Sequence, residues 1–231
     1  MSLPTLLTTL EGLVVETALW VLLVPKTLIH VILHPQAIPS LAEAPARDAD
    51  GQVHDDYVSL VLLWLIVGVL PGIPMITSEQ GPQWIAHVLL GRLNVEASIV
   101  AAATLLLLAP LSFAAAQCLV TGRRLARSSL SRPFAIQCGC FAPLFLAYFT
   151  ALATNLQAKI TVHEWLYGTV TYCLLSCGVV WFFVAEYVVL RPECSGRAMR
   201  ALAAIALGLL LWLGFITVSR LMLLLISVYY S

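Results

Sequence analysis

WLYGTVTYCLLSCGVVWFFVAEYVVL, residues 165–190, holds a single charged side chain, Glu186, in 26 residues. A bilayer core about 30 Å thick needs about 20 predominantly apolar residues in a helix, so this stretch is long enough to cross one. Its surroundings repeat the pattern, and that repetition decides the fold class.

Of the 231 residues, 61% are hydrophobic and 10% are charged, with a mean hydropathy of +0.95. A soluble domain is about a quarter charged, so water is not the solvent for most of this surface. Twelve basic residues balance twelve acidic ones, which leaves no global field to attract nucleic acid or a strongly charged substrate. Five of the six cysteines sit inside apolar segments, where they read as packing positions and not as a disulfide framework. No basic residue precedes the first apolar stretch and no small-residue cleavage site follows it, so no cleaved signal peptide is expected.

Five segments have the length and composition of spans: residues 57–76, 97–120, 133–153, 165–190 and 201–228. Orientation follows from the short loops. Arg123, Arg124, Arg127, Arg132, Arg191, Arg197 and Arg200 occupy two of them, against Arg92 and Lys159 in the other two. The arginine-rich loops belong in the cytoplasm, which puts the N-terminus inside and the C-terminus outside. Tyr229 and Tyr230 then fall at the outer interface. Pro71, Pro74, Pro110 and Pro143 lie within spans and can kink them.

Residues 1–56 read as a separate cytoplasmic part. Glu11 and Glu16 disfavour a span there, while Leu6, Leu7, Leu10, Leu13, Val14, Val21 and Val24 recur at helical spacing. Pro25 is expected to break this helix, and a short piece from Thr27 to Leu33 ends at His34-Pro35. The fold expected is all-α: a polytopic membrane protein of five spans plus an N-terminal interfacial or re-entrant helix. A sixth span over residues 12–33 is the alternative. LAEAPARDADGQVHDD, residues 41–56, reads as an acidic linker.

Chemistry-bearing motifs are scarce. His163-Glu164 opens like a zinc-peptidase motif, but Tyr167 stands where the second histidine would be. Neither a Gly-x-Ser-x-Gly elbow nor a phosphate-binding glycine loop is present, and there is no Cys-x-x-Cys. His30 and His34 share a helical face and could combine with His54, Asp55 or Asp56 around a metal, but polar tips on an interfacial helix explain them as well. No metal or cofactor is expected.

Ionisable residues within spans mark candidate functional positions. Glu186 is four residues from the cytoplasmic end of its span, where it could reach the interface or pair with Arg123, Arg124 or Arg191. Arg220 follows nineteen uncharged residues and precedes LMLLLISV. It could snorkel, pair with Glu79, Glu96 or Glu164, or line a path. Small residues four apart suggest helix-packing faces: Gly168, Thr169, Cys173 and Cys177 in the fourth span, Ala147 and Ala151 in the third, Ala204 and Gly208 in the fifth.

VPKTLIHVILHP leads through the acidic linker into DDYVSLVLLWLI, and EWLYGTVTYCLLS opens the fourth span. With five spans, a cytoplasmic N-terminal part and an external C-terminus, this layout resembles the Yip family (Ypt-interacting proteins), in particular its bacterial members. Tyr167, Gly168 and Tyr172 are similar to that family's glycine-tyrosine motif. Its Asp-Leu-Tyr-Gly-Pro signature is reduced here to Asp55, Asp56 and Tyr57, so small-GTPase binding is not carried over. The resemblance implies a non-enzymatic protein of the bacterial inner membrane that works through lipid or protein partners. The function expected is a scaffold or accessory subunit of a membrane complex, with the lipid bilayer and other membrane subunits as partners. The alternative is a transporter or channel component, in which Arg220, Gln117, Gln137 or Asn155 would face a polar cavity.

Overall fold

The computed structural model describes residues 22–47, 57–71, 95–158, 164–194 and 198–229, which form an all-helical protein with no strand among them. Helix α1 covers Leu22–Leu33, and a 3-10 turn at Pro35–Ala37 leads into α2, Ile38–Arg47. Helix α3 starts at Leu60–Trp64 and continues as a π-helical turn over Leu65–Val69. Four long helices follow: α4 (Val95–Val120), α5 (Arg127–Ala158), α6 (Glu164–Glu193) and α7 (Ala198–Tyr229). Two stretches, Arg127–Thr154 and Gly168–Pro192, are long and apolar enough to cross a membrane. Among the described residues, shorter apolar stretches are Leu22–Leu33, Leu60–Val69, Leu106–Val120 and Ala198–Gly214.

The four long helices form an up-and-down bundle, with α5 packed on α6, α4 on α7 and α4 on α5. Three rings set the register. Phe113, Phe141 and Phe182 meet one another at centroid separations of 5.2, 5.6 and 4.7 Å, so α4, α5 and α6 share one aromatic layer. Close backbone approach flanks it. A Cβ on Gly178 would lie 2.7 Å from that of Ala147, and one on Gly208 would lie 2.8 Å from the Phe113 ring. Helix α3 lies along α5, with Trp64 edge-on to Phe141 and Phe145. Its indole ring folds back over Gly68, where any larger residue would collide with it.

The chain breaks fall where backbone chemistry allows. Gly122, at φ 71°, ends α4. Its N–H donates to Leu119 O and that of Arg123 to Cys118 O, the paired bonds that close a helix on a left-handed glycine. Helix α5 starts six residues before Pro133. Proline has no N–H to offer the Ser129 carbonyl, and the Cys118 thiol donates to that carbonyl instead at 3.5 Å. Pro110 and Pro143 likewise sit inside continuous helices.

Two N-terminal expectations are corrected. Pro25 does not break the chain: Leu22–Leu33 is one helix that contains it. Buried Thr27 and Val31, on the turns that follow Pro25, hold this helix on the core. The first seven residues of the expected linker, 41–47, are helical and belong to α2, whose Ile38 is buried and whose Leu41 packs on the core.

Candidate functional site

One turn from the aromatic layer, toward the α4–α5 turn, each of its three helices presents a polar residue. Gln117 is four residues after Phe113, Gln137 four before Phe141, and Glu186 four after Phe182. Residues four apart share a helical face, so all three lie one turn beyond the rings, on the same side of the aromatic layer. Gln137 Nε2 donates to Glu186 Oε2 at 3.3 Å. Cys140, one turn along α5, lies beside the same carboxyl. Gln117, Gln137 and Glu186 are all essentially inaccessible, with relative exposures of 1%, 0% and 0%.

Glu186 therefore does not reach an arginine. Its carboxyl points inward to α5, and Arg191 is five residues further on, about 7.5 Å along the axis. The sequence suggested an interface or arginine contact for Glu186, and the structure turns its carboxyl to Gln137. The layer also leaves buried hydrogen-bonding atoms without partners: both amide atoms of Gln117, Gln137 Oε1 and Glu186 Oε1.

The second polar grouping belongs to α1. His30 and His34 stack with centroids 5.1 Å apart, and Tyr57 lies 5.0 Å from His30. Lys26 Nζ sits 4.9 Å from the centre of the Tyr57 ring. Lys26, His30 and His34 follow one another at four-residue steps along one flank of the helix. Buried Thr27 and Val31 hold the adjacent flank on the core. The Thr27 hydroxyl donates to Leu23 O and accepts from the Val58 N–H at 3.0 Å, which ties α1 to the start of α3.

Helices α1 and α2 form a hairpin against α5 and α6. Near its tip the Trp181 indole donates to Ile32 O at 3.0 Å. Ile38 then packs beside Gly139, and Glu43 pairs with Arg132 at 2.8 Å as α2 returns toward the start of α5. Trp181 is ten residues before Arg191, so the tip lies about 15 Å along the bundle from the arginines.

The remaining candidates are dispersed. Ala204 and Gly208 are buried on α7, the latter against Phe113. Cys173 and Cys177 are exposed on α6, and Gly168 has no atom within 4 Å of where a Cβ would stand. Small residues of α6 that do meet α5 include Gly178, against Ala147, and Thr171, whose hydroxyl donates to Ala151 O at 3.3 Å. Arg220 falls in a part of α7 whose side chains lie outside the described ones, as do the side chains of Glu96, Asn155, Glu164 and Tyr167. Residues 1–21, His54, Asp55, Asp56, Glu79 and His163 are also outside the described residues. Among the described residues no group of three His, Cys, Asp or Glu side chains could hold a metal.

The Gln117–Gln137–Glu186 layer was half legible. Each glutamine interrupts an apolar run, which flags a buried polar position, but their convergence depends on register between helices. Trp181 carried no signal, because its partner is a backbone carbonyl 149 residues away. No protein-family model, curated protein or solved structure matches this chain.

Proposed function

We propose that this chain is a non-enzymatic integral membrane protein of five spans that serves as a scaffold or accessory subunit of a membrane complex. The carrying observation is the contrast between its interior and its exterior. Inside, Phe113, Phe141 and Phe182 meet in one aromatic layer, and Gln117 and Gln137 are buried. Outside, α6 exposes Val170, Tyr172, Val179, Val180, Phe183 and Val184. An apolar face of that length is poorly suited to water and well suited to lipid or to another helix.

The arginine counts support a cytoplasmic N-terminus and an external C-terminus. Arg132 and Arg191 support that assignment further, since the Gln137–Glu186 register brings both to one level of the bundle. On this reading the α1–α2 hairpin enters from the cytoplasmic side, and its tip reaches about half of a hydrocarbon core roughly 30 Å thick. Non-spanning elements at such depth are tolerated when they are held by protein, and Trp181, Gly139 and Arg132 hold this one. The resemblance to bacterial Yip-type proteins supports the same topology and location in the inner membrane.

Purification in mild detergent tests the proposal. Partner subunits should co-purify in fixed stoichiometry, and the isolated chain in liposomes should move no solute. A chain that purifies alone and carries a solute overturns it. Transport is the second reading, and one observation favours it: an ionisable side chain, Glu186, inside a spanning helix, where such groups commonly mark pathways.

A further inference from the structure

The layer of Gln117, Gln137 and Glu186 carries more hydrogen-bonding capacity than its protein neighbours use. Gln117 is 1% exposed, yet neither its amide oxygen nor its amide nitrogen has a partner. Gln137 spends its nitrogen on Glu186 Oε2, and its own oxygen stays unpaired, as does Glu186 Oε1. Buried polar groups in folded proteins are nearly always satisfied, because an unpaired one forfeits its whole hydration. Four unpaired buried atoms on three helices, each one turn beyond a closed aromatic layer, therefore leave a demand for something polar at that end of the layer.

The atoms define its chemistry. The layer offers three unpaired oxygens, one from a carboxyl group and two from neutral amides, with the Cys140 thiol beside the carboxyl. Oxygen donors suit hard cations, while the softer transition metals ask for imidazole or thiolate ligands. Among the described residues no cluster of three His, Cys, Asp or Glu side chains meets that need. A single carboxylate balances one positive charge, and in a low-dielectric interior that balance decides whether an ion can stay. The Gln117 nitrogen can donate to a water that the ion retains.

We propose that this layer is a binding site for a partly dehydrated monovalent cation of sodium or potassium size. Glu186 Oε1 is its charged ligand, and the amide oxygens of Gln117 and Gln137 are its neutral ones. Occupation links α4, α5 and α6 at one level, so the cation acts as a clasp on the bundle. The inference stands whether the chain is a scaffold or a transporter, since it concerns only the ligand of the layer.

Thermal unfolding of the full chain in detergent tests it at constant ionic strength, with sodium, potassium or lithium chloride set against N-methylglucamine chloride. The expected result is a saturable rise in Tm with at least one alkali cation and none with the organic cation. Glu186→Gln should abolish the rise, and Gln117→Leu should raise the half-saturating concentration at least tenfold. Isothermal titration of the wild-type chain with the same alkali salt should give one site per chain. Gln117→Leu and the titration keep the test decisive if Glu186→Gln fails to fold. Equal Tm values in all salts, a rise shared by N-methylglucamine, or a rise that survives Glu186→Gln would each overturn the proposal. Waters filling the layer in place of a cation would give the first of these results.

Discussion

Gln137 and Glu186, 49 residues apart, face each other across the α5–α6 interface with Gln137 Nε2 3.3 Å from Glu186 Oε2. The pair sits one turn from Phe141 and Phe182, which are themselves in ring contact, so polar and aromatic contacts lock the same register. Removing one partner of a buried pair leaves the other unsatisfied, at a cost of about 1–3 kcal/mol, whereas removing both can be nearly neutral. Gln137→Leu should accordingly destabilise the chain by about that amount. The double variant Gln137→Leu/Glu186→Leu should recover much of the loss. Reversible unfolding in mixed micelles measures both, and strictly additive losses would contradict the pairing.

Small residues behave differently along α6. Gly178 meets Ala147 so closely that an added Cβ would stand 2.7 Å from the alanine methyl, while Gly168 faces open space. Replacing glycine by alanine favours a helix by up to about 1 kcal/mol where nothing obstructs the methyl group. Gly168→Ala should therefore leave stability unchanged or raise it. Gly178→Ala should lower it by about 1–3 kcal/mol, because overpacking forces the helices apart. Comparing the two midpoints within one preparation checks the contrast.

The contrast also shows what could be read before the structure. The stretch 165–190 announces a long apolar helix, and α6 covers it from Glu164 to Glu193. Element identity survives because it depends on local composition and length. The facing partner does not, because it depends on rotation about the helix axis: a stripe of Gly168, Cys173 and Cys177 competes with one through Gly178, and only packing chooses. Glu186 failed for the same reason. Its distance from Arg191 was legible, but its orientation toward Gln137 arises from register with a distant helix. Pro25 failed for another reason: proline removes one hydrogen bond, and a helix held on the core can run through it, as Leu22–Leu33 does.

Trp181 is the direct link between α6 and the α1 backbone, through its bond to Ile32 O. Trp181→Phe keeps most of the ring's bulk but removes the donor, at a cost of about 1 kcal/mol. The loss should be local. Hydrogen exchange should quicken in α1, α2 and the turn at Pro35–Ala37, while the α4–α5 contact at Phe113 and Phe141 keeps its protection. Uniform quickening across the bundle would mean that Trp181 serves the core and not the hairpin.

The cysteines provide a built-in probe of the membrane reading. Cys173 and Cys177 are exposed on α6, whereas Cys138 and Cys140 are buried in α5 and Cys118 in α4. An exposed thiol in water reacts with any maleimide, but a thiol facing lipid is shielded from charged reagents and open to apolar ones. In native membranes, Cys173 and Cys177 should therefore resist a sulfonated maleimide and accept a lipid-soluble one, while Cys138 and Cys140 resist both. In SDS all should react. Mass spectrometry of the labelled peptides separates the sites. Rapid modification of Cys173 or Cys177 by the sulfonated reagent in intact membranes would place that face of α6 in water, and the fourth span would then have to be abandoned.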